Sequence, residues 1–354
     1  MRTMGEKRLT DQNSIIILSV CHLLVDGISA ATLSQEPKPL LIALLLYNTF
    51  AFTTQCLTGM LPDKFGHGRT FVLLSSMILA AGALLPLPYV VKAIIVGSGN
   101  SLFHVSGGYI TLKHSNNMGP LGVFVAPGAI GLFIGTNYNK ICLPFIILLL
   151  LLSAVLLFAG GSEAEEEPTG SRQKGESQTA DITNGERLLL TCLLLLAIAA
   201  RAVGGSVVYF PWKTGLLVSG VTVFCVFLGK TLGGIIADRY GIHQTAIVSV
   251  VTASVLIVFF TQWMIPSLIG QIALNISMPI TLYLIYLLYP DSPGFAFGIA
   301  AAALWPGTLL GKAIHLTGVW SGLLTAICFA AGLIAIYIAE KKLIEYKYNS
   351  NSVI

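Results

Sequence analysis

Two short stretches decide the fold: GMLPDKFG at Gly59–Gly66 and GIIADRYG at Gly234–Gly241. Each stretch ends a long apolar run and carries a glycine, an acid, a base and a second glycine at the same spacing. A shift of 175 residues relates the two copies. The same shift pairs further polar residues: Asn100 with Asn275, Gln55 with Lys230, and Asp26 with Arg201. The sequence therefore predicts two similar halves that run in parallel.

Composition places these halves in a membrane. Of the 354 residues, 55% are hydrophobic and only 10% are charged, and the mean hydropathy is +0.82. A soluble domain carries roughly a quarter charged residues because its surface must face water. The six cysteines lie inside apolar runs without paired or metal-type spacing, so neither a disulfide framework nor a metal site is predicted.

Twelve apolar runs are long enough to cross a bilayer as helices, which takes about 20 residues each. They are 14–34, 39–60, 69–88, 89–112, 119–137, 141–160, 187–209, 214–237, 243–262, 266–289, 294–314 and 317–338. Tight junctions near 88, 265 and 315 leave room for a miscount by one hairpin. The prediction is an all-α membrane protein with twelve transmembrane helices in two six-helix pseudo-repeats.

The domain organisation follows from the gap between the two sets of runs. Residues 1–160 are predicted to form an N-terminal six-helix bundle, and residues 187–354 a C-terminal six-helix bundle with a tail. Residues 161–186 are acidic, rich in small residues and without apolar periodicity. Such composition cannot bury a core, so this segment is predicted to be a disordered cytoplasmic linker.

Basic residues predict the orientation. An even number of crossings puts both termini on one side, whose loops and tails carry thirteen lysines and arginines. The opposite side carries four: Lys38, Lys92, Lys140 and Lys213. Because positively charged loops tend to stay in the cytoplasm, both termini are predicted to be cytoplasmic, in a plasma or inner membrane.

The repeated loops resemble the signature of the major facilitator superfamily. The first copy supplies Gly59, Asp63, Lys64, Gly66 and Arg69, and the second supplies Gly234, Asp238, Arg239 and Gly241. The second copy departs from the pattern where His243 and Gln244 replace the usual basic tail. The resemblance implies the major facilitator fold, in which the first and seventh helices face each other across a central cavity.

Three further stretches resemble fosmidomycin-resistance-type exporters of that superfamily. They are His22–Asp26, Gly97–His104 and Pro290–Gly298. The likeness departs after His104, where valine, serine and glycine follow. What this narrower resemblance implies is proton-driven export of a small, often anionic or amphiphilic compound.

Two opposite charges fall near the middle of predicted helices, Asp26 in the first and Arg201 in the seventh. A charge at the bilayer centre costs about 2.5–3.5 kcal/mol, so each is expected to face a wet cavity or a partner. Given the implied arrangement, the two are candidates for a charge pair or for a substrate cradle. The alternative is a permanent ion pair that only fixes packing.

Two histidines lie one helical turn from another polar residue. His22 precedes Asp26 by four residues and shares its face, and a carboxylate beside an imidazole stabilises the imidazolium near neutral pH. Asn100 and His104 share a face of the fourth helix in the same way. These groups are candidates for a proton path or for substrate contact. The alternative is that they are satisfied polar groups in a packing groove.

The remaining site predictions concern the ends of even-numbered helices. Lys230 lies two turns before Asp238 and is expected either to reach the cavity or to snorkel toward the loop. Asp63 and Asp238 can each hold the adjacent base and cap a neighbouring helix N-terminus. Such contacts would act as a latch between two states; the alternative is that they only solubilise the loops.

These observations favour a secondary active transporter over other classes. Cations outweigh Asp26 in the presumed cavity, which favours an anionic or zwitterionic solute. Proton-coupled efflux is the first hypothesis and proton-coupled uptake the second, since the same cavity runs both ways; a non-transporting membrane protein is the third. We expect no enzyme, cofactor or nucleic-acid partner, because no nucleophile–base cluster or Walker loop is present. The expected partners are a small-molecule substrate, a proton and lipid, around a monomer.

Overall fold

A computed structural model describes residues 4–34, 41–115, 117–159 and 182–351, with side chains described between Asp11 and Glu345. The described chain is helical along almost all of its length. Its twelve helices are α1 Met4–Leu33, α2 Leu41–Phe65, α3 Gly68–Leu84, α4 Tyr89–His114, α5 Met118–Asn137, α6 Asn139–Phe158, α7 Asn184–Val207, α8 Gly215–Tyr240, α9 Ile242–Phe259, α10 Met264–Leu288, α11 Pro293–Ala313 and α12 Val319–Asn351. Each matches one predicted run, which confirms the all-α membrane fold class.

Ten of these helices are long and apolar enough to cross a bilayer; α3 is shorter, and α4 is the other exception. Every residue of α4 from Gly99 to Leu112 is buried. A helix whose neighbours are other helices needs no apolar coat, and small residues let those neighbours approach closely. Burial therefore explains why α4 carries so many glycine and polar residues.

Several helix ends differ from the predicted ones. The helix α1 begins ten residues before the predicted start at Ser14, and α12 continues to Asn351, thirteen residues beyond the predicted end. A search for apolar runs finds the part of a helix in contact with lipid, but the helix itself can continue into water.

The helix α7 overlaps the end of the predicted linker 161–186 by three residues. The helix α7 already begins at Asn184, where Thr183 and Glu186 form a capping box that satisfies exposed N–H groups of the first turn. A polar capping sequence thus starts the helix before the apolar run begins. The linker up to residue 181 lies outside the described residues.

Three of the helices are interrupted. The helix α5 is broken at Ala126 and Pro127, between Met118–Val125 and Gly128–Asn137. The helix α11 is broken at Ala303, and α2 contains a π-helical turn at Thr49–Thr53. Breaks of this kind free backbone carbonyls from the helical ladder, which gives nearby side chains a partner.

The two halves touch where α2 crosses α11 and where α5 crosses α8. At the first crossing a Cβ on Gly59 would lie 2.3 Å from the carbonyl oxygen of Gly294. At the second, a Cβ on Gly234 would lie 2.2 Å from the carbonyl oxygen of Met118. Equivalent glycines of the two repeats therefore bring backbone against backbone at both crossings, where any larger residue would push the halves apart.

Both ends of the described chain lie at the same end of the bundle. His114 at the end of α4 lies 3.9 Å from Asp11 near the start of α1. His243 at the start of α9 lies 3.5 Å from Glu340 in the last third of α12. The repeated loops after α2 and α8 lie at this end too, which we call the loop end.

Candidate functional site

Asp26 lies at the centre of a buried polar cluster made by α1 and α4. Asn100 Nδ2 donates to Asp26 Oδ1 at 2.9 Å. The Nε2 atom of His22 lies 3.4 Å from Oδ2, and that of His104 lies 3.8 Å from Oδ1. All four residues are at most 8% exposed. The structure thus brings together the four polar residues singled out on the first and fourth predicted helices, and we call them the Asp26 cluster.

Backbone carbonyls fix the orientation of both imidazole rings. His22 Nδ1 lies 2.8 Å from the carbonyl oxygen of Phe124, and His104 Nδ1 lies 2.8 Å from that of Asn100. Because a carbonyl oxygen only accepts, each Nδ1 carries the hydrogen. Both rings consequently turn Nε2 toward Asp26, and they meet edge to face with centroids 4.4 Å apart. A proton placed on either Nε2 points at the carboxylate.

The broken helix α5 closes the cluster from the other side. A Cβ on Gly128 would lie 2.3 Å from Asp26 Oδ2 and 2.5 Å from His22 Nε2, so only glycine fits there. The turn before the break offers its carbonyls to side chains: that of Phe124 accepts from His22, and that of Val125 lies 3.5 Å from Lys230 Nζ. A single interruption in α5 thus serves groups from both halves.

Lys230 points into the protein rather than toward the loop end. It belongs to α8 in the second half, yet its ammonium group reaches the Val125 carbonyl in the first half. It also lies within electrostatic range of Asp26 and Arg201. Of the two alternatives left by the sequence, the structure therefore shows the inward one.

Arg201 does not pair with Asp26. Among the described residues no acid lies within ion-pair distance of its guanidinium, and its buried Nη1 atom has no hydrogen-bond partner. Arg201 instead lines a cavity between α7, α9, α10 and α12 in the second half. Of the two alternatives, a charge pair or a substrate cradle, the pair is absent from this structure, in which Asp26 has its partners within its own half.

The repeated loops bridge the halves through two carboxylates. Asp63 accepts from the backbone N–H groups of Gly294 and Phe295 at 2.8 and 2.7 Å, at the start of α11. Asp238 does the same for the first two residues of α5, accepting from Met118 at 2.8 Å and Gly119 at 2.7 Å. Each half thus caps a helix of the other, and we call these contacts the two latches.

The basic residues next to the latches do not hold the carboxylates. Lys64 lies over the ring of Phe65 at 5.6 Å, and Arg239 over that of Tyr240 at 5.4 Å. Within the described residues, neither base forms an ion pair with its neighbouring aspartate. The carboxylates therefore bind the other half through backbone N–H groups alone.

The last glycine of each loop motif and Arg69 complete the loop end. Gly66 and Gly241 have φ values of 71° and 86°, which favour glycine because a Cβ is strained there. Arg69 is buried, 4% exposed, in the first turn of α3. These positions end α2 and α8 sharply, so that Asp63 and Asp238 sit at the crossings.

Sequence analysis missed two features of the site, the role of Gly128 and the Phe124 carbonyl. The available signal was Pro127: it has no N–H for the carbonyl of Val123, and the helix breaks there, so the neighbouring carbonyl of Phe124 can accept from a side chain. His22, Asp26 and His104 are also a group of metal-ligating type among the described residues, with ligand atoms within 4.8 Å of one another.

No family model and no curated protein matches the sequence. Solved structures do match the chain. A crystal structure of the major facilitator superfamily transporter FucP in the outward conformation aligns with a TM-score of 0.65 at 12% identity, covering 92% of this chain and 98% of that one. A variant of the E. coli fucose:proton symporter FucP gives 0.62 at 11% identity, covering 95% and 98%.

At this level of identity the likeness establishes the fold. The chain has the fold of the major facilitator superfamily and is a multi-pass membrane protein. These two structures do not support the narrower resemblance to fosmidomycin-resistance-type exporters.

Proposed function

We propose that this protein is a secondary active transporter that moves a small organic solute by alternating access, driven by a proton gradient. The observation that carries the proposal is the Asp26 cluster: one carboxylate and two imidazoles buried together, beside the broken helix α5, where the halves meet. Burying an ionisable group in a membrane protein costs free energy, so the groups that are found there generally have a function.

The geometry of the cluster suits a transferable proton. With both Nδ1 atoms protonated, two neutral imidazoles would turn the lone pairs of their Nε2 atoms toward the Asp26 carboxylate, which is repulsive. One proton shared among these three groups converts the repulsion into a charge-assisted hydrogen bond. Loss of that proton would therefore strain the cluster and favour another arrangement of α1 and α4.

The helix α5 is the element that would transmit such a change. It contacts the cluster through the Phe124 carbonyl and Gly128, and its first two residues are held by Asp238 of the other half. Protonation at Asp26 and closure at the loop end therefore act on one helix. Substrate and coupling sites at the interface of two repeats are characteristic of transporters built this way.

Charge favours an anionic or zwitterionic solute. Among the described residues no acid lies within 4.0 Å of Lys230, and Asp26 is surrounded by groups of its own half. Lys230 lies at the interface of the halves, so it is the cation best placed to meet the solute. We propose efflux as the direction, on the resemblance of His22–Asp26 and Gly97–His104 to exporters; uptake by symport would use the same cluster.

The loop end is proposed to face the cytoplasm. Thirteen basic residues on the side of the termini against four on the other favour this orientation. With both latches formed at that end, the described state is closed to the cytoplasm.

The test is transport in proteoliposomes that contain a pH-sensitive dye and carry an imposed pH gradient. With a panel of organic anions and zwitterions, we expect at least one solute to dissipate the gradient. Asp26→Asn should reduce this flux to that of protein-free vesicles, because the cluster loses its negative charge. Asp291→Asn, an exposed loop substitution, is the matched control and should keep the wild-type rate.

Full proton-driven flux in Asp26→Asn would remove Asp26 as the coupling residue. A chelator added to both sides should leave the wild-type flux unchanged. Loss of flux with the chelator would instead place a metal ion in the cluster.

A further inference from the structure

Arg201 lines a cavity inside the second half, away from the Asp26 cluster. The cavity lies between α7, α9, α10 and α12, and its polar lining includes Ser277, Thr281 and Cys328. Apolar side chains such as Phe329 and Ala253 form the rest of the wall. A charged group thus faces a small, mostly apolar cavity.

The charge of Arg201 is not balanced by the protein. Among the described residues no carboxylate lies within 4.0 Å of it, and its buried Nη1 has no hydrogen-bond partner. Lys230, a second cation, lies within electrostatic range of Arg201. A partly buried charge without a partner for its buried nitrogen is unfavourable, and a second cation nearby makes it more so, so this arrangement favours an anion.

The size of the cavity selects the anion. Its volume of about 20 Å³ is little more than the space that one water molecule needs. This volume suits one small inorganic ion better than the carboxylate of an organic solute.

Two hydroxyl groups can complete the coordination. Ser277 Oγ donates to the carbonyl oxygen of Leu274 at 3.1 Å, and Thr281 Oγ1 donates to those of Ser277 and Met278 at 3.2 and 3.0 Å. These three distances are longer than the usual O–H···O distance of about 2.7–2.8 Å, so turning a hydroxyl from its carbonyl toward an anion costs little hydrogen-bond energy.

We propose that Arg201, with Ser277 and Thr281, binds one small monovalent inorganic anion of the chloride type inside the second half. The bound ion neutralises Arg201 and leaves Lys230 as the cation that faces the interface of the halves. The site is lined only by helices of the second half and lies apart from the Asp26 cluster, and so the proposal stands whether or not the proposed transport activity is correct.

The first experiment measures thermal unfolding of the purified protein in detergent. Sodium chloride and sodium gluconate are compared at equal ionic strength. We expect chloride to raise the unfolding temperature in a saturable manner and gluconate to have no such effect. Arg201→Met should lose the chloride effect, while Lys213→Met, at an exposed lysine, and Asp26→Asn should keep it.

Equal stabilisation by gluconate, or an undiminished chloride effect in Arg201→Met, would overturn the proposal. Stabilisation by acetate but not by chloride would also overturn it, and would assign Arg201 to the solute instead. If Arg201→Met does not fold, Thr281→Val removes one proposed donor at constant shape and should raise the chloride concentration needed for half the effect.

The second experiment locates the ion. Crystals grown in bromide should show an anomalous peak beside the Arg201 guanidinium. A well-diffracting crystal without that peak, or with bromide only elsewhere, would show that the cavity does not bind a halide.

Discussion

A methyl group at position 128 would enter the Asp26 cluster, which makes Gly128→Ala the sharpest test at the scale of one residue. Its Cβ would lie 2.3 Å from Asp26 Oδ2, so the carboxylate or α5 must move. We expect proton-driven flux to be lost and stability to fall by about 1–3 kcal/mol, as for other overpacked interiors. Gly185→Ala is the control, because nothing lies within 4 Å of its Cβ.

Flux and unfolding of both variants are measured on the same preparations. A Gly128→Ala protein that transports at the wild-type rate would mean that close contact between α5 and the cluster is not needed for coupling.

Single residues also show where sequence reasoning succeeds and where it fails. The four-residue spacing of His22 to Asp26 and of Asn100 to His104 predicts a shared helix face, and helical geometry guarantees it. A pair between Asp26 and Arg201 was one of two alternatives for these charges, and this structure does not contain it. A sequence repeat shows which positions are equivalent. It does not show where each side chain points, and the contacts depend on that direction.

At the scale of helices, both latches are expected to shift the same equilibrium, the one between the states closed and open at the loop end. Asp63 and Asp238 each accept two backbone N–H bonds at a helix N-terminus of the other half, and hydrogen bonds to a charged group contribute about 1.5–3 kcal/mol each. Asp63→Asn and Asp238→Asn should each favour the state that is open at the loop end, and the double variant should shift it further.

Distances between spin labels measure this shift. In a cysteine-free background, His67→Cys and Gln244→Cys place one exposed label in each half at the loop end. The latch variants should populate longer distances than the wild type, whereas Asp291→Asn should not. Identical distributions in the wild type and the double variant would mean that the glycine crossings alone hold this end closed.

The helices themselves were mostly predictable because lipid imposes a simple rule, about 20 apolar residues for each crossing. The rule also predicted α4, although this helix is less apolar than the others because it is surrounded by other helices. It could not find the ends of α1 and α12, since these continue beyond the apolar runs, nor the π-helical turn in α2, which depends on packing. The spacing of Thr183 and Glu186 is that of a capping box and predicts the start of α7. The apolar run alone does not, because it begins three residues later.

At the scale of the whole molecule, the arrangement of the chain ends can be tested without knowing the solute. The pairs Asp11–His114 and His243–Glu340 put the start of α1 and the last third of α12 at the loop end. The excess of basic residues on that side favours the cytoplasm. We expect a fluorescent protein fused to either terminus to be bright, and alkaline phosphatase fused to either terminus to be inactive. Signals that place the two termini on opposite sides would require an odd number of crossings, which two parallel six-helix repeats cannot provide.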